Sequence, residues 1–343
     1  MNVRAWLNTL TLTCRTLPIV ILYVTEGCNL RCCMCSYRKA LPNELTLVEV
    51  ESLAHQLSQF GLRHIVYSGG EPLLRRDFPA ICAIFRQLGV QQTLLTNGLL
   101  LEKRLPEIQK FLSGIIVSLD GATTKTHNAI RGVESFDKIV EGIRRAVGSH
   151  SQVSVSVRTV LQKQNFREIR EMIDLVKSLG VRKISFLAAD VLSKSFGRDT
   201  RGSVAPDESI ALDEAEVVEF RRIIDRLLAN NRSDFEGGII SETPEKMYHI
   251  VEYFEALIGK RPFPRNYCNA PMVSAVITST GEIQPCFFLP SYGNVREKQV
   301  DELENNEQAQ QTRKKVRDYE LERCQTCVCT LHLTPLHALI DPC

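Results

Sequence analysis

The chain has 343 residues, 44% hydrophobic and 24% charged, and a formal net charge of only +2. That balance gives no sign of a nucleic-acid or membrane partner, and no apolar run approaches the roughly 20 residues of a membrane span. The twelve cysteines are the anomaly: four fall within Cys28–Cys35 and six within Cys268–Cys343, with only Cys14 and Cys82 apart.

Residues 1–18 read as a lead-in, and the apolar run 19–24 (IVILYV) as a strand feeding directly into the first cysteine group. A signal peptidase would cut into that group, so no targeting segment is expected and the chain is placed in the cytoplasm. Further strands are expected at 64–68, 92–96, 114–119, 153–158 and 183–188. Between them amphipathic helices are expected over 46–60, 77–88, 103–112, 135–148 and 166–179, the last closing at Gly180. Alternation of this kind makes a parallel sheet with right-handed crossovers. Curled, that sheet is a partial (β/α)6 TIM-like barrel over 19–190, with reacting groups at the C-terminal ends of its strands. After Ala189 the periodicity stops, and 190–211 read as a polar loop of the length that lids use. Helices follow at 212–231 and 244–258, so that 191–260 connects the barrel to a small cysteine-bearing domain over 261–343 with a hairpin in VSAVITSTGEIQPC. The fold class is α/β.

A disulfide framework suits small secreted domains, whereas Cys-x-x-Cys spacing in a cytoplasmic chain points to metal. Cys28, Cys32 and Cys35 form C-x-x-x-C-x-x-C just after the first strand. Three thiolates serve three irons of a [4Fe–4S] cube and leave the fourth open to a chelating substrate or cofactor. Zinc would want a fourth nearby ligand, and the loop has no His. Cys33 has no place in this spacing and is expected to be a small buried residue, with a catalytic thiol as the alternative.

Four further stretches stand in order: SGGEP at Ser68–Pro72, TNG at Thr96–Gly98, SLDG at Ser118–Gly121 and HNAIRG at His127–Gly132. Together with the three cysteines they resemble the radical S-adenosylmethionine (radical SAM) superfamily over about residues 19–190. The resemblance implies a [4Fe–4S] cluster on Cys28, Cys32 and Cys35 that binds S-adenosyl-L-methionine (SAM). It places Met34 near the adenine and Gly69, Gly70 and Glu71 at the methionine ammonium. Ser118 and Asp120 are then available to the ribose or amino-acid end, and Arg158, ending the fifth strand, to the SAM carboxylate.

In the last quarter, Cys268, then Gly281 with Cys286 five residues on, then Gly293-Asn294 and Cys324-x-x-Cys327, resemble the SPASM and twitch subgroups of that superfamily. This implies an auxiliary [4Fe–4S] cluster on Cys268, Cys286, Cys324 and Cys327. After Cys327 the spacing departs from the full SPASM pattern, with only Cys329 and Cys343 remaining, so one auxiliary cluster is favoured over two. A structural zinc on these four thiols is the alternative.

The implied reaction is reductive cleavage of SAM to a 5′-deoxyadenosyl radical, hydrogen abstraction from the substrate and transfer of an electron to the auxiliary cluster. Flavodoxin or ferredoxin would be the reductant. A small-molecule substrate undergoing dehydrogenation, epimerisation or decarboxylation is favoured over a peptide or protein side chain, because 1–18 is too short for a peptide-recognition domain. For the same reason cobalamin is not expected. A non-catalytic metal-binding redox sensor would account for the cysteines but not for the strand-end motifs. Asp190, Asp199, Asp207 and Cys329 are candidate proton or hydrogen donors, each with a solvated loop residue or spare thiol as the plainer reading.

Overall fold

The computed structural model describes residues 3–149, 152–198, 208–329 and 331. Helix α1 (Val3–Thr11) precedes β1 (Ile19–Thr25), whose β-branched run is buried at all but one position. Strands and helices then alternate through α2 (Leu47–Gln59), β2 (His64–Gly69), α3 (Phe78–Gln87), β3 (Gln91–Thr96), α4 (Leu101–Ile108) and β4 (Gly114–Ser118). Two helices follow, α5 (Thr124–Arg131) and α6 (Phe136–Gly148), before β5 (Ser154–Leu161), α7 (Ile169–Ser178) and β6 (Ile184–Ala188). The connector holds α8 (Glu214–Asn230), α9 (Arg232–Glu236) and α10 (Pro244–Leu257). The C-terminal part runs through α11 (Ala270–Val273), β7 (Ser274–Ile277), β8 (Glu282–Gln284), β9 (Gly293–Asn294), α12 (Val300–Asn305), α13 (Glu307–Arg317) and α14 (Glu322–Gln325). Among the described residues no helix is long and apolar enough to cross a membrane.

The sheet order is β6-β5-β4-β3-β2-β1-β7-β8-β9. The six barrel strands pair in parallel, as alternation of strand and helix requires. Alternate residues face opposite sides: Ile21, Val66, Leu95, Ile116 and Leu187 line the barrel interior, while Val20, Leu22, Ile65, Leu94 and Val117 pack in the helix-covered core.

Three features differ from the sequence reading. The hairpin in VSAVITSTGEIQPC forms, but its first strand, β7, pairs in parallel with β1, from Ile19 opposite Ser274 to Leu22 opposite Ile277. The C-terminal region therefore extends the barrel's own sheet. Helix α5 was not expected; its sequence TKTHNAIR has no long apolar stripe, and it starts on Thr123, whose side chain accepts from Thr126 N–H. Strand β5 continues to Leu161, so Arg158 lies within the strand, level with Ser118 on β4, rather than at its end.

Helix α1 is more than a lead-in. Asn8, fully buried, accepts from Arg15 N–H (2.7 Å) and donates to the carbonyls of Thr16 and Met272 (both 2.8 Å). Arg313 on α13 is also fully buried; its Nε donates to Leu12 O (2.7 Å) and its Nη1 to the Glu304 carboxylate (3.2 Å). Burial pushes the Glu304 carboxyl up, to about 7, against the pull of Arg313.

Arg313→Ala should therefore lower unfolding free energy by about 3–5 kcal/mol near pH 8, because an unpaired carboxylate is left buried. Without the arginine, the folded-state pKa of Glu304 rises further above its unfolded value. The loss should then shrink toward pH 5, where the carboxyl is protonated in the fold. Denaturant unfolding at the two pH values checks this, and an equal loss at both would contradict it.

Candidate active site

The loop after β1 is shaped by contacts from two sides. Cys28 N–H donates to Arg38 O (3.2 Å) and Cys35 N–H to Cys32 O (3.3 Å). The Arg38 guanidinium in turn donates to the carbonyls of Cys32 (3.3 Å) and Cys35 (2.7 Å). On the other side stands the end of α5, where Arg131 O accepts from Arg31 N–H (2.9 Å) and Ile130 O from Cys33 N–H (3.0 Å). Gly132 caps α5 at φ +67°, and a Cβ there would stand 2.3 Å from Arg31 O, so both backbone conformation and space demand glycine.

Arg131 turns back from the same helix end. Its Nη1 reaches Cys32 Sγ (3.6 Å) and its Nη2 pairs with Asp120 Oδ2 (2.7 Å). The other Asp120 oxygen accepts from Val160 N–H (2.8 Å), and Asp120 is fully buried. Each of its oxygens thus meets one protein group, which ties β4 to the end of α5 and to β5. Burial raises its pKa, partly offset by Arg131. Cys33 also departs from expectation: it is exposed, its Sγ 3.3 Å from Gln162 Oε1, while Cys32 is the buried neighbour. Anchoring of the Cys33 amide to Ile130 turns the Cys33 side chain outward.

The strand-end motifs converge on this loop. Gly70 and Glu71 donate their N–H groups to Thr25 O and Gly27 O (both 2.8 Å). A Cβ on Gly70 would come within 2.2 Å of Gly27 O, so glycine is required by the entrance of the cysteine loop itself; Gly69 ends β2 just before it. Glu71 is fully buried: Oε1 accepts from Leu73 N–H (3.0 Å) and Thr96 Oγ1 (2.8 Å), and Oε2 from Asn97 N–H (2.7 Å). One carboxylate thus ties SGGEP to TNG, and burial pushes it up to about 6 despite these donors. Asn97 Nδ2 reaches Asn29 Oδ1 (2.7 Å) and Cys28 Sγ (3.8 Å). Met34 and Val160 both pack against the cluster of Ala189, Val191 and Ile210 near the ends of β5 and β6.

Cys268, Cys286, Cys324 and Cys327 line one cavity together with Cys329. Ala270 N–H points at Cys268 Sγ (3.4 Å) and Phe288 N–H at Cys286 Sγ (3.5 Å), an arrangement that suits iron-ligating thiolates. Burial, with neighbouring thiols adding, pushes Cys324 up to about 11 and Cys286 up to about 12, so metal binding must displace protons. Arg323 Nε and Nη1 are buried without a partner beside these sulfurs, which fits the negative charge of a four-thiolate cluster. Among the described residues no three His, Cys, Asp or Glu side chains converge to hold one metal ion. Ligands to separate corners of a cube stand farther apart than ligands to one ion. Cys329 stands beside the set, its carbonyl 3.0 Å from Cys327 Sγ. Cys343, Asp199 and Asp207 lie outside the described residues.

Asp190, a candidate proton donor in the sequence, is clamped by Arg323 Nη2 (2.7 Å), Arg198 and Ser193. Burial alone would raise its pKa, but Arg323, Ser193 and Arg198 outweigh it and hold the carboxyl below its usual range. It carries no proton to give near neutrality. The described part of the expected 190–211 loop bridges the two cysteine groups: Phe196 O accepts from Ser36 N–H (2.9 Å), and Ser195 Oγ donates to Phe287 O (2.7 Å). Beneath it Tyr23 stacks on Phe287 (6.3 Å between centroids) and meets Tyr37 edge-on (6.0 Å).

The cavity that holds the second cysteine group has a volume of about 1110 Å³ and occupies the barrel interior, with Arg158 and Glu242 on its wall. The charge of Arg158 acts on Glu242 and Cys329; Cys35, in the first loop, instead feels Arg38 and Arg131. A separate depression of about 490 Å³ opens at Cys28, Arg38, Glu44 and Leu74. Sequence reasoning missed Arg131 and Asn97 as individual residues, although both stand inside the quoted motifs HNAIRG and TNG.

A profile of the radical SAM superfamily matches residues 22–176, and one for SPASM, an iron–sulfur cluster-binding domain, matches 268–328. Among curated proteins, Fe-coproporphyrin III synthase of Methanosarcina barkeri (strain Fusaro / DSM 804) is 32% identical over 234 residues, 66% of this chain and 54% of that protein. This chain therefore spans about half of that relative's length. GTP 3′,8-cyclase of Haemophilus influenzae (strain PittEE) is 26% identical over 279 residues, 78% of this chain and 77% of that protein. Among solved structures, Streptococcus suis SuiB bound to precursor peptide SuiA superposes with a TM-score of 0.64 at 16% identity, covering 92% of this chain and 72% of that one. It shares the fold.

Anaerobically reconstituted protein should hold about eight irons per chain, and about four after Cys28, Cys32 and Cys35 are all replaced by Ala. Gly132→Ala should push the cysteine loop aside and lower iron toward the same value, with the second site still filled. Iron near eight in a folded Gly132→Ala protein would show that the loop tolerates the added Cβ.

Proposed function

Because the chain belongs to the radical SAM superfamily and carries a SPASM-type iron–sulfur domain, we propose that it removes a hydrogen atom from a small substrate held in the barrel cavity and completes a net oxidation. When bound, the first cluster and SAM supply the 5′-deoxyadenosyl radical, and the auxiliary cluster supplies an electron sink. Cys28, Cys32 and Cys35 would hold the first cluster, and Cys268, Cys286, Cys324 and Cys327 the second. Glu71, with an acceptor site left on Oε2, would receive the SAM ammonium, while Asp120 acts by fixing Arg131 against Cys32. Met34, Gly69, Gly70 and Ser118 would line the SAM site around them.

The observation that carries this reading is the position of Tyr23. It stacks on Phe287, next to Cys286, and meets Tyr37, two residues past Cys35, edge-on. One aromatic contact thus joins the segments that carry the two groups, which supports hydrogen removal beside one and electron removal beside the other. A cavity of about 1110 Å³ takes a small molecule comfortably. Two relatives are named for GTP and Fe-coproporphyrin III, which supports a small substrate over a peptide side chain.

Replacing Cys324 and Cys327 by Ala should separate two activities. Uncoupled SAM cleavage to 5′-deoxyadenosine should persist within about threefold of the wild type, since it depends on the first cluster alone. Product formation should fall at least about a hundredfold. Circular dichroism and SAM affinity on the same variant control for folding, because an iron–sulfur site also staples the chain around it. Product at near wild-type rates from a well-folded variant would leave the second site structural and refute the electron-sink role.

A further inference from the structure

We propose that the surface around the outer mouth of the first cysteine loop, formed by residues 38–45 and 74–77, is the docking face for an acidic one-electron carrier protein. The inference rests on the reading above, in which Cys28, Cys32 and Cys35 hold a redox-active cluster. That cluster must be reduced from a side the substrate does not occupy. None of the three cysteines lines the barrel cavity, whereas Cys28 lines the separate depression of about 490 Å³, with Gly27, Arg38, Glu44, Leu74 and Arg75.

The rim of that depression carries the chemistry of an electron-transfer encounter. Arg38, Lys39 and Arg76 are exposed. They outnumber the neighbouring acids that no arginine among the described residues pairs, Glu26 and Glu44. Asp77 is held by Arg75 through two bonds (2.7 and 3.1 Å). Glu44 Oε1 accepts from Thr25 Oγ1 (3.0 Å), Glu26 N–H (2.7 Å) and Leu41 N–H (3.1 Å). Leu41 and Leu74 are 37% and 40% exposed, two of the six large hydrophobics exposed among the described residues. Leucines framed by cations suit a small, steered and salt-sensitive contact with an acidic partner. Arg38 connects this face to the site, since the guanidinium on the rim also holds the carbonyls of Cys32 and Cys35. The step is a single electron transfer: the carrier is oxidised by one electron, the cluster is reduced by one, and no atom moves.

The test compares iron-loaded wild type with a Lys39→Glu/Arg76→Glu double variant, using flavodoxin as the probe. Calorimetric titration at low and high salt gives binding. SAM cleavage driven by reduced flavodoxin, and separately by dithionite, gives function. The variant should bind flavodoxin at least about tenfold more weakly at low salt and show a parallel rise in KM for flavodoxin. Wild-type affinity should fall as salt is added, and dithionite-driven cleavage should be equal in both proteins. Unchanged Kd and KM would overturn the proposal. So would dithionite-driven cleavage that drops as far as flavodoxin-driven cleavage, since the face would then be structural. Should the wild type cleave no SAM with either reductant, the reading of the first site fails, and the calorimetry still decides the docking face by itself.

Discussion

Arg131 is buried with its guanidinium between the Asp120 carboxylate and the Cys32 sulfur, and much of the first site follows from how that charge is accommodated. Taking a guanidinium out of water is costly unless opposite charge and hydrogen bonds meet it. Asp120 meets it from the end of β4, and its second oxygen accepts Val160 N–H, so the pair also joins β4 to β5. The end of α5 is thereby held in place. That helix end presents Ile130 O, Arg131 O and the bare face of Gly132 to the cysteine loop. A loop with no regular secondary structure is positioned by one buried cation and the helix end that carries it.

The second site is placed by a different device. Pairing of β7 with β1 makes the auxiliary region a continuation of the barrel sheet, so backbone hydrogen bonds set the distance between the two cysteine groups. Packing then closes the gap. Tyr23, two residues before β1 ends, stacks on Phe287 from the auxiliary hairpin, while the 190–198 segment bonds to Ser36 on one side and Phe287 on the other. A rigid ladder and an aromatic wall suit two redox centres better than a flexible tether, because the rate of electron transfer depends steeply on separation.

The six barrel strands were legible because apolar runs alternate with helical spacing over the whole of 19–190. The order of motifs at strand ends made the family legible as well. What stayed hidden was set by contacts distant in sequence. Nothing in Ser274–Ile277 announces β1 as its partner. Helix α5 rests on the Thr123 cap and on burial of Ile130 and Arg131, and its polar residues mask it. Burial within the cysteine loop follows no period, so Cys33, expected to be buried, is exposed. Asp120 and Gly70 stand in recognisable motifs, but their contacts with Arg131, Val160 and Gly27 depend on residues distant in sequence. Arg158 was misplaced for a simpler reason: β5 runs three residues farther than the apolar pattern indicates.

Charge placement gives the two sites a common logic. Burial holds the thiols of Cys28, Cys35, Cys286, Cys324 and Cys327 above the usual thiol range, so thiolates form there only as metal replaces their protons. The charge then created is met by cations already in place. Arg131 and Arg38 serve the first group; Lys246 and Arg323 stand near the second. Arg323 also lies over the Phe288 ring (4.4 Å) and pairs with Asp190 just beyond β6. The cation serving the auxiliary thiols is therefore anchored on the barrel. Filling the second site should stiffen the end of β6 as well as the C-terminal helices, which couples assembly of the auxiliary cluster to the shape of the barrel cavity.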